Sequence, residues 1–471
     1  MHTTRRLFFL IACLCAAFTA ARAQDYNIKD FGAVSDTLKL STAAINRAVE
    51  ACSRKGGGRV VIPAGNYKSG TITLKSNVEL YFAAGATLYA STDPKDFPRQ
   101  VQPAYRSQKD PGGWYALIYA EGASNIGLAG YGTIDGLGAR QLPRPGALSG
   151  DQDGRPRNVL FISCQRVHVE NITMRNSGVW NQHYLNCEDV KVLGIQVFNH
   201  SNRNNDGIDI DGCRRFVLAN SIIDSDDDAI VLKSTGAAGC EDVVVSNCVV
   251  SSFTNGLKCG TESTGGFKNI LFSNCVVKPS VSKTKSVFNT PAHGITAISL
   301  EIVDGGVMDG VQVNNILVEG TECPIYVRLG NRARKHREDA PAPPYGQMRN
   351  ISLANITATH AGNYTSSITG VPGALIENIT LSNIQIVNQG GLKAGSFLAD
   401  VGQVKEDEKG YPQPTVGKNL PASAFFLRHV KQAAFQHCRF ASEQADPRQP
   451  FITADVPKLD LHQVTYNDKP L

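Results

Sequence analysis

Three carboxylates carry the clearest chemical signal in the chain: Asp206, and the adjacent pair Asp227 and Asp228 twenty-two residues later, in the stretch Asn204 to Ser234, NNDGIDIDGCRRFVLANSIIDSDDDAIVLKS. Twenty-two residues is about one coil of a parallel β-helix. Stacked strands lie roughly 4.8 Å apart, so Asp206 on one coil and Asp228 on the next can share a cleft. Like charges at that range repel and push one pKa upward, an arrangement sequences avoid unless the pair does work.

The elements that would hold these acids recur on either side. VHVENI at 167, VLGIQV at 192, FVLANS at 216, VVVSNC at 243, ILFSNC at 270, VQVNNI at 311, ISLANI at 351 and ITLSNI at 379 are each a short alternating strand ending in a turn, usually with asparagine. Asn220, Asn247 and Asn274 fall twenty-seven residues apart. A fixed period in the twenties is the mark of a solenoid whose repeats bury their faces on one another. Parity adds a constraint: in a regular strand Asp206 would share a face with Ile208 and Ile210, and Asp228 with Ile230 and Leu232, inside the apolar core. Both must therefore sit at bends, and Gly207 makes one plausible. Asp209 and Asp211, on the opposite parity, point outward, either to line the cleft or to hydrogen-bond a neighbouring coil.

NNDGIDI followed by SDDDAIVLKS resembles the NTDG and DDC motifs of glycoside hydrolase family 28, the polygalacturonase family, and the resemblance covers most of the chain. It implies an all-β, single-domain right-handed parallel β-helix with an N-terminal capping helix, and hydrolysis of a pectic poly- or oligosaccharide with inversion. By the same resemblance Asp227 is the general acid, and Asp206 with Asp228 activates water. Inverting chemistry calls for carboxyl groups roughly 6.5–9.5 Å apart, leaving room for that water. Asn205 stands in the first motif beside Asp206, and Lys233 matches a family lysine that holds the carboxylates. NSGVWNQH (176–183) resembles the segment that places an aromatic ring and a histidine at the cleft edge, so Trp180 is expected to stack on a sugar and His183 to hydrogen-bond it.

The family pattern then breaks twice. Where it has Gly-His-Gly, this chain reads TNGLKCGTES, with Asn255 in place of the histidine, Lys258 adding a charge and Glu262 following. Asn255 can donate a hydrogen bond but cannot carry a proton, which leaves acid–base work to the aspartates. Where polygalacturonases have an Arg-x-Lys clamp for the galacturonate carboxylate, the chain reads HGITAISLEIVDGG, with Glu301 and Asp304 and no cation. An acid facing that subsite would repel a uronate. Arg328, one coil further in IYVRLGNR, and Lys258 are the candidates to replace the clamp.

Residues 1–23 read as a signal peptide: Arg5 and Arg6, an apolar run from Leu7 to Ala17, and Ala21-Arg22-Ala23 as cleavage site, implying a periplasmic or secreted protein. Removing it takes away three arginines and no acid, so 44 basic residues face 42 acidic ones and the net charge falls from +5 to +2. With no basic run interleaved with aromatics, a nucleic-acid surface is not expected. No later apolar stretch approaches the roughly eighteen residues of a membrane span. The rest, 24–471, reads as one domain, with 24–98 as cap and first coils and a helix near Thr42–Ser53 presenting Ala44, Ile45, Ala48, Val49 and Cys52 on one face. The ten cysteines that remain look like small residues stacked in the interior more than a disulfide framework. No Cys-x-x-Cys pair or compact histidine cluster points to zinc, and neither metal nor cofactor is expected. A monomer is expected.

Four long Pro- and Gly-rich segments, Asp96–Gly113, Leu137–Arg157, Arg328–Met348 and Leu392–Ala422, would wall the groove. They favour exo action, trimming from a chain end, and offer Trp114, Tyr115, Arg332, Arg334 and Tyr345 as sugar contacts. Two other readings stay open: a polysaccharide lyase with Ca²⁺ at the aspartates and a basic residue abstracting a proton, and a non-catalytic carbohydrate-binding β-helix.

Overall fold

The half-rungs recognised in the sequence fall on the strands and turns of successive coils, and the coils stack in register. Val167 pairs in parallel with Val190, Val190 with Phe216, Phe216 with Val243 and Val243 with Ile270. The column continues through Val311, Ile351 and Ile379, and all of these side chains are buried. The structure, a computed structural model, describes residues 25–100, 106–286, 290–415 and 419–471. The expected signal segment lies outside the described residues.

A coil has three strands, for example Arg214–Ala219, Ile222–Ser225 and Ile230–Ser234. The first two kinds run together into a sheet of twenty-four strands, and the third kind forms a separate parallel sheet of twelve. That twelve-stranded sheet carries the cleft. Its inward columns are aliphatic: Ile208, Ile230, Leu257, Ile298 and Ile325 stand in one register line.

Asparagine marks the turns because they need a left-handed residue, which its short polar side chain tolerates. Asn220, Asn247 and Asn274 have φ of 56°, 55° and 54°. Their amides bond coil to coil, Asn247 Nδ2 to Asn220 Oδ1 at 3.2 Å and Asn274 Nδ2 to Asn247 Oδ1 at 3.3 Å. The twenty-seven-residue spacing is thus a hydrogen-bonded ladder on the outside of the solenoid.

The helix Thr42–Arg54 buries Ala44, Ile45, Ala48, Val49 and Cys52 and packs on Asp25–Asn27, Gly58–Ile62 and Ile72–Thr73, covering the first coil as a solenoid end requires. Ten cysteines, including Cys164, Cys187, Cys213 and Cys240, are free and buried. Among the described residues no helix is long and apolar enough to cross a membrane.

Candidate active site

Asp206 and Asp228 lie just ahead of two paired strands, Ile208–Asp211 and Ile230–Ser234, in which Ile208 sits against Ile230. The bend lets each side chain escape the core its parity would impose. Gly207 is needed there by close approach: a Cβ would lie 2.4 Å from Ile223 Cγ2 and 2.5 Å from the Ala229 carbonyl oxygen, while its N–H bonds the Asp228 carbonyl at 2.9 Å. Asn205 is wholly buried and staples the preceding turn. It accepts from the N–H groups of Ser201 and Asn202 and donates to the carbonyls of Ser177 and Val179. It shapes the bend.

One oxygen from each of Asp206, Asp227 and Asp228 lies within 4.8 Å of the others. These are nearest-oxygen distances, short because adjacent coils are only about 4.8 Å apart, and they are not the carboxyl-to-carboxyl separation that distinguishes inversion from retention. The separation of the carboxylates therefore does not by itself assign the stereochemistry. A water here would be surrounded by three acids, instead of standing between two.

The three carboxyls are driven apart electrostatically. Burial and the neighbouring Asp228 push Asp227 up to about 6. It is the partly exposed member, bonded by Thr254 Oγ1 at 3.2 Å, with Asn204 Nδ2 at 3.4 Å. Asp228 is also buried, but Lys258 at 3.0 Å, Lys233 and a 2.6 Å hydrogen bond from Asn255 Nδ2 outweigh that burial and hold it below the usual carboxylate range. Asn255 thus donates to a carboxylate, as its place in the sequence suggested. Asp206 goes the other way, raised by burial and by Asp209 and Asp227, with Lys233 Nζ 3.6 Å away opposing the rise.

Lys233 also lies 3.5 Å from Asp209 and 3.6 Å from Glu262. Glu262 sits where the strand Asn255–Ser263 slips register against Ile230–Ser234, a bulge that re-aims a side chain into the cleft. Lys109 at 3.4 Å and Arg334 at 3.0 Å meet the same carboxylate. Burial would raise it, yet these cations hold it well below its ordinary range.

Several expected sugar contacts are part of the foundation instead. Trp180 is only 2% exposed, with the cations of Lys233, Arg157 and Lys109 set 4.6, 5.0 and 5.4 Å from its ring centre. His183 is wholly enclosed between Trp180 and Trp114. Burial pushes it down to about 4, so it is neutral, and its Nε2 bonds Asp211 Oδ2 at 3.0 Å. The cause is the stretch 106–113, which lies against this part of the sheet: Ser107 Oγ bonds Thr235 Oγ1 and Lys109 bonds Asp151. Trp114 is buried by the same stretch, its Nε1 donating to Asp110 Oδ1. Asp211 bonds its neighbouring coils and does not line the cleft.

The acids in place of the family clamp do not repel as expected. Asp304 is wholly buried and gripped by Arg332, at 2.5 Å, and Arg334, at 3.0 Å. Glu301 is buried, pushed up to about 7 by desolvation, and accepts a 2.6 Å hydrogen bond from Ser299 Oγ. Arg328 is half-buried and turns toward the segment Leu392–Ala422, donating to the carbonyls of Glu406 and Asp407.

Lys109, Asp151, Arg157, Thr254 and Tyr411 escaped the sequence reading. Thr254 stands one residue before Asn255 and could have been suspected; the others sit in or beside irregular segments where no periodicity gives direction. Lys258 and Lys233 also bear on the lyase reading, since two buried ammonium groups already supply positive charge where a divalent cation would have to sit.

A parallel β-helix whose cleft sheet gathers two elevated carboxyls beside a depressed one has the makings of an acid–base hydrolase of glycosidic bonds. The chain belongs to the glycosyl hydrolases family 28, whose model matches residues 52–401. It is 30% identical over 225 residues to a Vitis vinifera protein described as a probable polygalacturonase, and 28% identical over 258 residues to the exo-poly-alpha-D-galacturonosidase of Dickeya chrysanthemi. These matches cover 46% and 45% of this chain and span less than half of each relative, 45% and 42%. The hyperthermoactive exopolygalacturonase of Thermotoga maritima shares the fold, with a TM-score of 0.64 at 24% identity over 78% of this chain and 88% of that one.

Proposed function

We propose that the protein is an exo-acting hydrolase of a pectic chain, galacturonan or rhamnogalacturonan in type. The observation that carries this reading is the cluster itself: Asp227 poised at about 6 beside an ionised Asp228, with Asp206 within 4.8 Å. An acid with a pKa near the working pH can give its proton to the glycosidic oxygen as the C1–O bond breaks. Asp228, kept ionised by Lys258 and Asn255, takes the proton of the attacking water, whose oxygen becomes the new C1 hydroxyl. Asp206 orients that water. The relatives named polygalacturonase and exo-poly-alpha-D-galacturonosidase support the substrate class.

Exo action is supported by how the long segments are tied together. Lys109 links the stretch 106–113 to Asp151 and, through Glu262, to Arg334, while Tyr345 OH bonds Glu408 Oε2 at 3.2 Å. Loops joined across a groove admit a chain end more readily than a chain middle. Product size and viscosity followed together on polygalacturonate and on rhamnogalacturonan test this. Steady release of one small sugar with slow loss of viscosity is expected, and early mid-length oligomers would refute the exo mode. NMR of the first anomer released tests inversion, for which the spacing of the acids offers no help. The N-terminal segment supports export, which N-terminal sequencing of the mature protein checks.

A further inference from the structure

The buried acids of the cleft differ in what holds them. Asp211 accepts hydrogen bonds from Thr235 N and Oγ1, Asp228 from Thr254 Oγ1 and Asn255 Nδ2, Glu262 from Arg334, and Asp304 from Arg332 and Arg334. Asp209 has no such donor. It faces outward from the cleft sheet in register with His183, is wholly buried, and among the described residues neither of its oxygens has a hydrogen-bond partner; Oδ1 of Asp206 is likewise without one. Lys233 Nζ stands 3.5 Å from Asp209 Oδ1, 3.6 Å from Asp206 Oδ2 and 3.6 Å from Glu262 Oε2. A single ammonium group thus serves three carboxyls, and none at the roughly 2.7–3.2 Å of a formed hydrogen bond.

A carboxylate shut away from water keeps its charge only where donors meet it, and otherwise keeps its proton. Burial is the first cause raising both Asp206 and Asp209. The other charges facing the two are Asp227 and Asp228 from the adjoining bend, Asp211 two residues on, and the Arg157 guanidinium, set 5.1 and 5.0 Å from the ring centres of Trp114 and Trp180. His183 is neutral and engaged with Asp211. Two observations separate Asp206 from Asp209. Asp206 puts an oxygen within 4.8 Å of Asp227 and Asp228, where the attacking water is held, and Asp209 lies outside that group. After burial, what raises Asp206 is charge on Asp209 and on Asp227, so a proton on each of those lets Asp206 ionise.

Resting on the hydrolytic reading above, we infer that Asp209 keeps its proton throughout catalysis and is a positioning residue: uncharged, it cedes Lys233 to Asp206, which thereby stays the ionised acceptor that orients the attacking water. Asp227 gives a proton and Asp228 takes one, while Asp209 does neither. Its neutrality is what keeps Asp206 from being silenced by a second negative charge on the same lysine.

The test is Asp209→Asn, which keeps the shape and removes the titrating proton. A carboxyl that holds its proton more tightly in the folded state than in the unfolded one costs the fold stability as pH rises from the ordinary carboxylate range to the pH at which the native group ionises. Denaturant unfolding across that range should therefore show the variant gaining on the wild type, the ratio of their unfolding constants changing about tenfold per pH unit. On galacturonan and rhamnogalacturonan oligomers the variant should keep both limbs of the pH–rate profile in place and at least about a third of the wild-type rate, the scale on which loss of a catalytic proton carrier is excluded, whereas Asp206→Asn should not. An ionised Asp209 gives the reverse: a stability ratio that is flat or falls with pH, because Lys233 is stranded, and an acid limb moved to lower pH, because Asp206 loses a neighbouring negative charge. Either result overturns the inference. If Asp209→Asn does not fold, infrared spectra of Asp206→Asn decide: the C=O band of a protonated carboxyl must persist above about 6 and about 7, where Asp227 and Glu301 ionise, and its absence overturns the inference. Absence of turnover on every pectic substrate overturns the pectic reading instead, and the stability ratio still decides the state of Asp209.

Discussion

Two faces of the solenoid are built from the same strand and behave differently. On the asparagine-laddered face, Gln165–Glu170 alternates buried valines with exposed polar residues. On the cleft face, Asn255–Ser263 is buried at every position, and so is Ile230–Ser234. The inward columns are alike; only the outward side chains meet different surroundings. Water satisfies the laddered face, and its asparagines need only one another. On the cleft face the long segments shut water out, so each outward polar group needs a protein partner, and charges interact strongly because the local dielectric is low. That enclosure is what separates Asp227 from Asp228. The lesson is that a β-helix coil is a neutral scaffold, and covering one of its faces turns ordinary outward positions into reactive ones.

The largest effect should come from the reactive member of the covered face. Asp227→Asn should lower turnover by at least ~10²-fold, the scale of losing a general acid, with folding retained. Because burial raises this carboxyl in the native state, the folded protein binds the proton more tightly than the unfolded one, so the group costs stability as pH climbs from the ordinary carboxylate range toward about 6. Asp227→Asn should therefore melt no lower than the wild type above that pH. Wild-type turnover should fall as pH rises through about 6. A variant keeping a third of the wild-type rate would remove Asp227 from the acid role.

Next in size is the counter-charge. Lys233→Met leaves Asp206, Asp209 and Glu262 without a shared cation and should cost about 3–5 kcal/mol, as breaking a buried ion pair does. Denaturant unfolding measures it, and a loss below about 1 kcal/mol, the usual worth of an exposed pair, would mean that the cleft face is wetter than described.

Asn255→Ala removes a hydrogen bond to an ionised carboxylate, worth about 1.5–3 kcal/mol. It should raise the pH at which the acid limb of the rate profile falls, since Asp228 loses one of the contacts holding it down, and it should cost less than Asp227→Asn. An equal loss would mean that Asn255 touches substrate or water directly. Smallest of all, Asn247→Gly on the laddered face, which keeps the left-handed turn and removes only the ladder bond, should cost about 0.5–1.5 kcal/mol of stability and leave turnover as it was. A clear drop in rate would contradict the separation of the two faces.

How much was legible follows from range. The coil period, the asparagine turns, the capping helix and the bends at Asp206 and Asp228 were readable because each is encoded by residues a few positions apart, through side-chain alternation, left-handed tolerance and parity. Recognition of the acids needed the motif as well. The misreadings have separate causes. Trp180 and His183 looked like cleft residues because a motif places residues along the chain without showing what covers them, Trp114 because it borders a long segment, and Asp304 looked like a repelling acid because Arg332 and Arg334 lie one coil and a loop away.

The amino-acid sequence alone thus determined the repeating coil and the three carboxylates that adjacent coils bring into one cluster, since pleat periodicity and strand spacing follow from local chemistry. Only the tertiary structure decided what each carboxyl can do. Asp227 rises to about 6 while Asp228 is held down, because Lys258 and Asn255 meet Asp228 and the buried Thr254 meets both. The long segments bury the charges that share this cleft with them, with Lys109 and Arg334 closing on Glu262. Desolvation depends on what covers a side chain, and here the cover comes from segments more than seventy residues away along the chain.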